Sequence, residues 1–148
     1  MTTGEAGRPV EILLVEDNPG DVRLVIEAFR GSEVLHNLHT VGDGKEAMAF
    51  LHREGRYADA PPPDIILLDL NLPKKDGREV LAEIKEDPDL RRIPVVIMTI
   101  SNAEEDILST YNLHGNSYIT KPVDPENFMN MFKSIEDFWL RVVRLPSR

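Results

Sequence analysis

The chain of 148 residues contains no cysteine, which excludes disulfide bonds, thiol catalysis and thiolate metal centres. Positive charge is scarce: 17 Lys and Arg stand against 26 Asp and Glu, and the resulting formal charge of −9 opposes unaided binding to a phosphate backbone. No direct nucleic-acid contact is therefore expected. No apolar run approaches the roughly 18 residues of a membrane span, and nothing near Met1 resembles a signal peptide. A soluble, cytoplasmic protein without a membrane partner is the expectation. Length is limited as well, sufficient for one domain with a real core and too short for a second.

What the sequence does have is a series of short apolar runs that end in chemistry. Val10 to Val15 reads VEILLV and stops at Glu16-Asp17. Asn18, Pro19 and Asp21 then suit the cap, first turn and positive end of a helix, in which Val22, Val25, Ile26 and Phe29 face inward and Gly31 is the stop. Residues 36 to 41 form a weaker strand. Asp43-Gly44 turns the chain into a helix carrying Ala47, Met48 and Leu51. Gly55 to Pro63 ends in three prolines and is expected to be irregular throughout.

The organising stretch is Asp64-Ile65-Ile66-Leu67-Leu68-Asp69-Leu70-Asn71-Leu72-Pro73-Lys74-Lys75-Asp76-Gly77. Four aliphatic residues in a row suit a strand buried on both faces. Asp69 follows them, and Asn71, Pro73 and Asp76-Gly77 are turn chemistry that takes the chain off the sheet. A helix with Val80, Leu81 and Ile84 inward should end before Pro88. Val95 to Met98 is the next strand, ending at Thr99. Ser101 and Glu104 cap a helix with Ile107, Leu108 and Tyr111 inward. Ser117 to Thr120 is the fifth strand, ending at Lys121-Pro122. The last helix starts at Asp124-Pro125 and shows a broad apolar face of Phe128, Met131, Phe132, Ile135, Phe138, Trp139 and Val142. Strands alternating with helices argue for a doubly wound α/β domain over residues 10 to 143, with a disordered or extended arm at 1 to 9, a tail at 144 to 148 and no output domain.

In a parallel sheet the carboxyl ends of all strands share one rim. Glu16, Asp17, Asp69, Thr99 and Lys121 are thus expected to converge. At ~4 Å and an effective dielectric of ~20, each carboxylate pair repels by about 4 kcal/mol. Lys121 offsets one charge, and an all-oxygen cluster with no His or Cys beside it suits a hard cation, Mg²⁺ better than Zn²⁺. Asp69 can act as a nucleophile toward a phosphoryl group, with Thr99 and Lys121 neutralising its oxygens.

These residues resemble the receiver domain of two-component response regulators, the CheY-like family. The likeness rests on Glu16-Asp17, the run from Asp69 to Gly77, Thr99, Tyr118 and Lys121-Pro122, and extends from Val10 to about Val143. It implies a flavodoxin-like five-stranded parallel sheet of order 2-1-3-4-5 with five helices. It further implies phosphorylation of Asp69 by a sensor histidine kinase. Mg²⁺, with Mn²⁺ able to substitute, would be held by Asp17, Asp69 and the Asn71 backbone carbonyl, with Glu16 acting through water. Thr99 and Tyr118 would form the switch, and the Lys121–Pro122 bond would be cis.

A narrower likeness lies in Tyr111-Asn112-Leu113-His114, Asn116 to Pro122, Phe138-Trp139-Leu140 and Leu145-Pro146. These are similar to stand-alone regulators paired with bacterial phytochromes. That likeness implies a homodimer through the fourth helix, fifth strand and last helix, for which Met129, Phe132, Trp139 and Leu140 are the interface candidates. One departure is Ile100, where the family carries a small residue; its bulk is expected to narrow access to Asp69. The residues leave two other readings open, a Mg²⁺-dependent phosphohydrolase with Asp69 as nucleophile and a receiver-like scaffold that is not phosphorylated. The hydrolase lacks a second acid at Asn71. Gly42-Asp43-Gly44-Lys45 lacks the spacing of a phosphate loop. His36 and His39 read as surface or packing residues.

Overall fold

Every residue of β1 (Val10–Val15) and β3 (Ile65–Leu68) is buried, as strands are when both faces of their sheet are covered. In the computed structural model the described residues are 8–99, 107, 117–122, 124–135 and 137–139. Among them, β2 (His36–Val41), β4 (Val95–Thr99) and β5 (Ser117–Thr120) complete a five-stranded sheet of order β2-β1-β3-β4-β5, parallel at every pairing. This is the expected order 2-1-3-4-5.

Alternation along the strands sorts the core into two layers. Leu13, Val15, Ile66, Leu68, Val95 and Ile97 face α2 (Gly44–Leu51) and α3 (Gly77–Glu86), which supply Ala47, Met48, Val80, Leu81 and Ile84. Ile12, Leu14, Ile65, Leu67, Val96 and Met98 face α1 (Pro19–Arg30) and the final helix (Pro125–Ile135), which supply Val25, Phe29, Phe128 and Phe132. Each fully buried Leu, Ile or Phe side chain contributes about 1.5–3 kcal/mol. Asn18 caps α1 by accepting the Asp21 amide at 3.1 Å, and Asp43 caps α2 by accepting the Glu46 amide at 2.7 Å.

The loop between β3 and α3 is pinched between two helix starts. A Cβ on Gly77 would lie 2.3 Å from the Asp69 carbonyl oxygen and 2.6 Å from Leu70 Cα, and one on Gly44 would lie 2.2 Å from the Lys75 carbonyl oxygen. Only glycine permits these approaches of backbone to backbone. Between them Lys74 adopts φ +66°, and its ammonium pairs with Asp43 at 3.6 Å.

Several expectations are corrected. Phe132 is no interface residue: it is fully buried against Phe29 and Phe128 on the layer under α1. Met129 and Trp139 are half-buried against the same core. Ile26 is 42% exposed and Phe138 52% exposed, since each lies one helical step past a buried neighbour or beyond the end of the core. Gly55–Tyr57 forms one 3₁₀ turn closed by the Tyr57 and Ala58 amides, because the three prolines that bar regular structure begin only at Pro61. The Lys121–Pro122 bond is trans, as is every described peptide bond; a tertiary amide favours trans by about 0.5–1 kcal/mol unless packing locks the other isomer. Apart from Ile107, the helix expected from Ser101, together with Ile100, Leu140 and the arm before Arg8, lies outside the described residues, leaving four described α-helices where five were expected.

Candidate functional site

Four of the five strands deliver residues to the carboxyl rim. β1 ends at Val15 and is followed by Glu16 and Asp17; β3 is followed by Asp69, whose amide donates to the Val15 carbonyl at 3.1 Å; β4 ends in Thr99 itself; β5 is followed by Lys121, whose amide donates to the Thr99 carbonyl at 2.7 Å. Glu16, Asp69, Thr99 and Lys121 are buried, whereas Asp17 is exposed.

Lys121 is the centre of the site. Its ammonium donates to Asp69 Oδ2 at 2.9 Å, to Asp21 Oδ2 at 3.1 Å and to Glu16 Oε1. Asp69 Oδ1 accepts the Asn71 amide at 3.0 Å, and the Asn71 side-chain amide donates to Thr99 Oγ1 at 3.0 Å. Both oxygens of the acceptor candidate are thus held, one by a cation and one by backbone.

Charge at the rim is unbalanced. Glu16, Asp17 and Asp69 each offer an oxygen, all within 4.8 Å of one another. Burial pushes the Glu16 carboxyl up to about 7; Lys121 opposes the rise without cancelling it, and Asp69 adds to it. For Lys121, burial acts to lower the value, but the hydrogen bonds and charges of Glu16 and Asp69 outweigh it and hold the ammonium well above the ordinary lysine range. Lys121 is therefore charged at any working pH. Four carboxyl groups, Glu16, Asp17, Asp21 and Asp69, gather at this rim around the single ammonium of Lys121. Three oxygen donors in reach of one another fit a hard divalent cation, with Glu16, Asp17 and Asp69 as the residues able to hold it.

The structure brings together Glu16, Asp17, Asp69, Asn71, Thr99 and Lys121 as the sequence suggested. Two participants were missed. Asp21 reads in sequence as helix-start acid, yet its carboxylate reaches Lys121; the signal was its position one turn after Asp17, in a helix that starts at the rim. Asn71 reads in sequence only as a turn residue without the acid a hydrolase needs, and nothing local signals that its side-chain amide donates to Thr99 Oγ1. Tyr118 is half-buried and packs on the layer beneath α2 and α3.

A parallel α/β sheet with an acidic rim, a buried lysine and a strand-end threonine defines a phosphorelay receiver, and the chain belongs to that family. The profile of the response regulator receiver domain matches residues 12–133. The chain is 52% identical over 143 residues to the response regulator Rcp1 of Synechocystis, covering 97% of each protein. The Mn²⁺-bound form of Rcp1 superposes with a TM-score of 0.92 at 53% identity, over 94% of this chain and 100% of that one. The phosphorylated cyanobacterial phytochrome response regulator RcpA gives 0.91 at 57% identity, over 93% and 99%. The chain is accordingly a signalling protein of the two-component class and not a phosphohydrolase. Among the described residues, no helix is long and apolar enough to cross a membrane.

Proposed function

We propose that Asp69 accepts a phosphoryl group from a histidine kinase of the phytochrome type, in a reaction that requires a divalent cation, Mg²⁺ with Mn²⁺ able to replace it. The observation that carries this reading is the Lys121 ammonium 2.9 Å from Asp69 Oδ2 within the acid cluster of Glu16, Asp17 and Asp69. The phosphorylated form of RcpA and the Mn²⁺-bound form of Rcp1 support it.

An Asp69 oxygen bonds phosphorus as the bond from the kinase imidazole breaks, and the imidazole retains the electron pair. Asp69 is freed for this by exchanging Lys121 from its own oxygen to a phosphoryl oxygen. Asp17, Asp69 and the Asn71 carbonyl would hold the cation with Glu16 through water, and the cation supplies further neutralisation of the phosphoryl charge. Thr99 leaves the Asn71 amide to donate to the phosphoryl group, and the space it vacates is available to Tyr118. Phosphotransfer from a light-controlled histidine kinase to the full chain, with and without chelator, tests the reading; transfer that is indifferent to EDTA would contradict it.

Protonation of Glu16 offers a second check. The folded, metal-free protein holds this proton more tightly than the unfolded chain, so the group's contribution to stability is complete below about 4.5 and is lost as pH rises through about 7. In EDTA, the wild type should therefore lose more stability between pH 5 and pH 8 than Glu16→Gln does. Urea midpoints at the two pH values measure this, and equal losses would refute it.

We further propose a homodimer through the fourth helix, β5 and the final helix. β5 is an edge strand. Beside it lies a cleft of about 420 Å³ lined by Ser117, Ile119, Met131, Ile135, Phe138 and Trp139. Phe138 stands half exposed at its rim, an apolar group that a second copy would cover. Phe138→Glu should shift a sedimenting dimer to monomer at micromolar concentration while leaving phosphotransfer intact. A wild type that sediments as a monomer, with or without phosphoryl mimic, removes this proposal.

A further inference from the structure

The Lys121 ammonium has three N–H donors, and all three are engaged by carboxylates. Its side chain is 4% exposed. Two of its partners, Glu16 and Asp69, belong to the cluster able to hold a cation, while the third, Asp21, does not. With a cation held by Asp17 and Asp69 and by Glu16 through water, Glu16 and Asp69 would share their negative charge with it, and Lys121 would remain a buried positive charge beside it. A buried ammonium in that position needs a counterion, and Asp21 is the carboxylate left for it.

We infer that Asp21 is a positioning residue of the site: it keeps hold of the Lys121 ammonium while Glu16 and Asp69 turn to the divalent cation, and so makes loading of the site compatible with a buried lysine. The inference rests on the reading of the acid cluster as a cation site. Location supports the role. Asp21 lies in the first turn of α1, fixed by its own amide to the cap residue Asn18 at 3.1 Å, so its carboxylate is aimed at the rim by the helix start. It is also the most accessible of the three partners, 25% exposed against 1% for Glu16 and 7% for Asp69. Asp21 does not cap α1, a task performed by Asn18, so replacing it leaves the helix start in place.

Mn²⁺ titration of the full chain, read by calorimetry or by the resonance of the free ion, tests this without any phosphotransfer. Asp21→Asn, which keeps shape and removes charge, should weaken Mn²⁺ binding about threefold to tenfold, and Asp21→Glu should stay within about twofold of wild type. In a Lys121→Gln background, where no ammonium needs a counterion, Asp21→Asn should have no further effect. An equal loss in both backgrounds would mean that Asp21 acts by its field on the cation alone and would overturn the inference. So would an unchanged affinity in Asp21→Asn, or an Asp21→Glu as weak as Asp21→Asn; either single variant can overturn the inference even if Lys121→Gln does not fold. A wild type that takes up no Mn²⁺ removes the cation reading itself, whereas normal uptake with an indifferent Asp21 removes only this inference.

Discussion

Asp69→Asn should take up no phosphoryl label from kinase or from acetyl phosphate, while wild type labels stoichiometrically with an acid-stable, base-labile bond. The substitution is nearly isosteric. The amide can still accept from the Asn71 backbone as Asp69 Oδ1 does, and Lys121 keeps Glu16 and Asp21. Fold and cation ligands other than Asp69 are thus retained, and what is lost is the nucleophile. Residual label on Asp17, the exposed member of the cluster, would instead show that the rim and not one residue is the acceptor.

A larger structural effect is expected at Gly77. The added methyl of Gly77→Ala meets the Asp69 carbonyl oxygen at 2.3 Å and Leu70 Cα at 2.6 Å, and neither can turn away because both are backbone. The Gly77 amide also donates to the Leu70 carbonyl at 2.9 Å, tying the start of α3 to the same segment. Overpacking against side chains typically costs about 1–3 kcal/mol, and here about 3 kcal/mol or more is expected because the backbone itself must move. The displaced segment carries Asp69, so labelling should slow by about a hundredfold, the effect of a misplacement near 1 Å. Gly31→Ala is the matched control: a Cβ there meets nothing within 4 Å and its φ is −92°, so stability should hold or rise slightly. Urea melts and labelling rates on both variants measure the contrast. Similar behaviour of the two would remove the claim that Gly77 sets the position of the acceptor.

Both expectations depend on contacts that sequence reading reached to different degrees. Asp69, Glu16, Thr99 and Lys121 were legible because each follows or ends an apolar run, and parallel topology sends every such end to one rim. Order and layering followed from the same runs. Gly77 read only as a turn residue, since nothing local tells that its hydrogen would face the carbonyl of a residue eight positions earlier. Asp21 was hidden for a related reason: what the first turn of a helix faces depends on how the helix leaves the sheet. On α1 and the final helix, periodicity marked the apolar face correctly but not its width, so Ile26 and Phe138 were placed inward when they stand at its margins and Phe132 was offered to a partner when it is core.

Neighbouring residues of β5 serve opposite sides of the molecule: Tyr118 packs with the α2 and α3 layer, Ile119 with the layer of α1 and the final helix. The backbone tie from Lys121 to the Thr99 carbonyl fastens the tip of this strand to that of β4. A displacement of the tip of β4 would therefore reach β5 at its own tip and, through it, both layers that pack on the sheet.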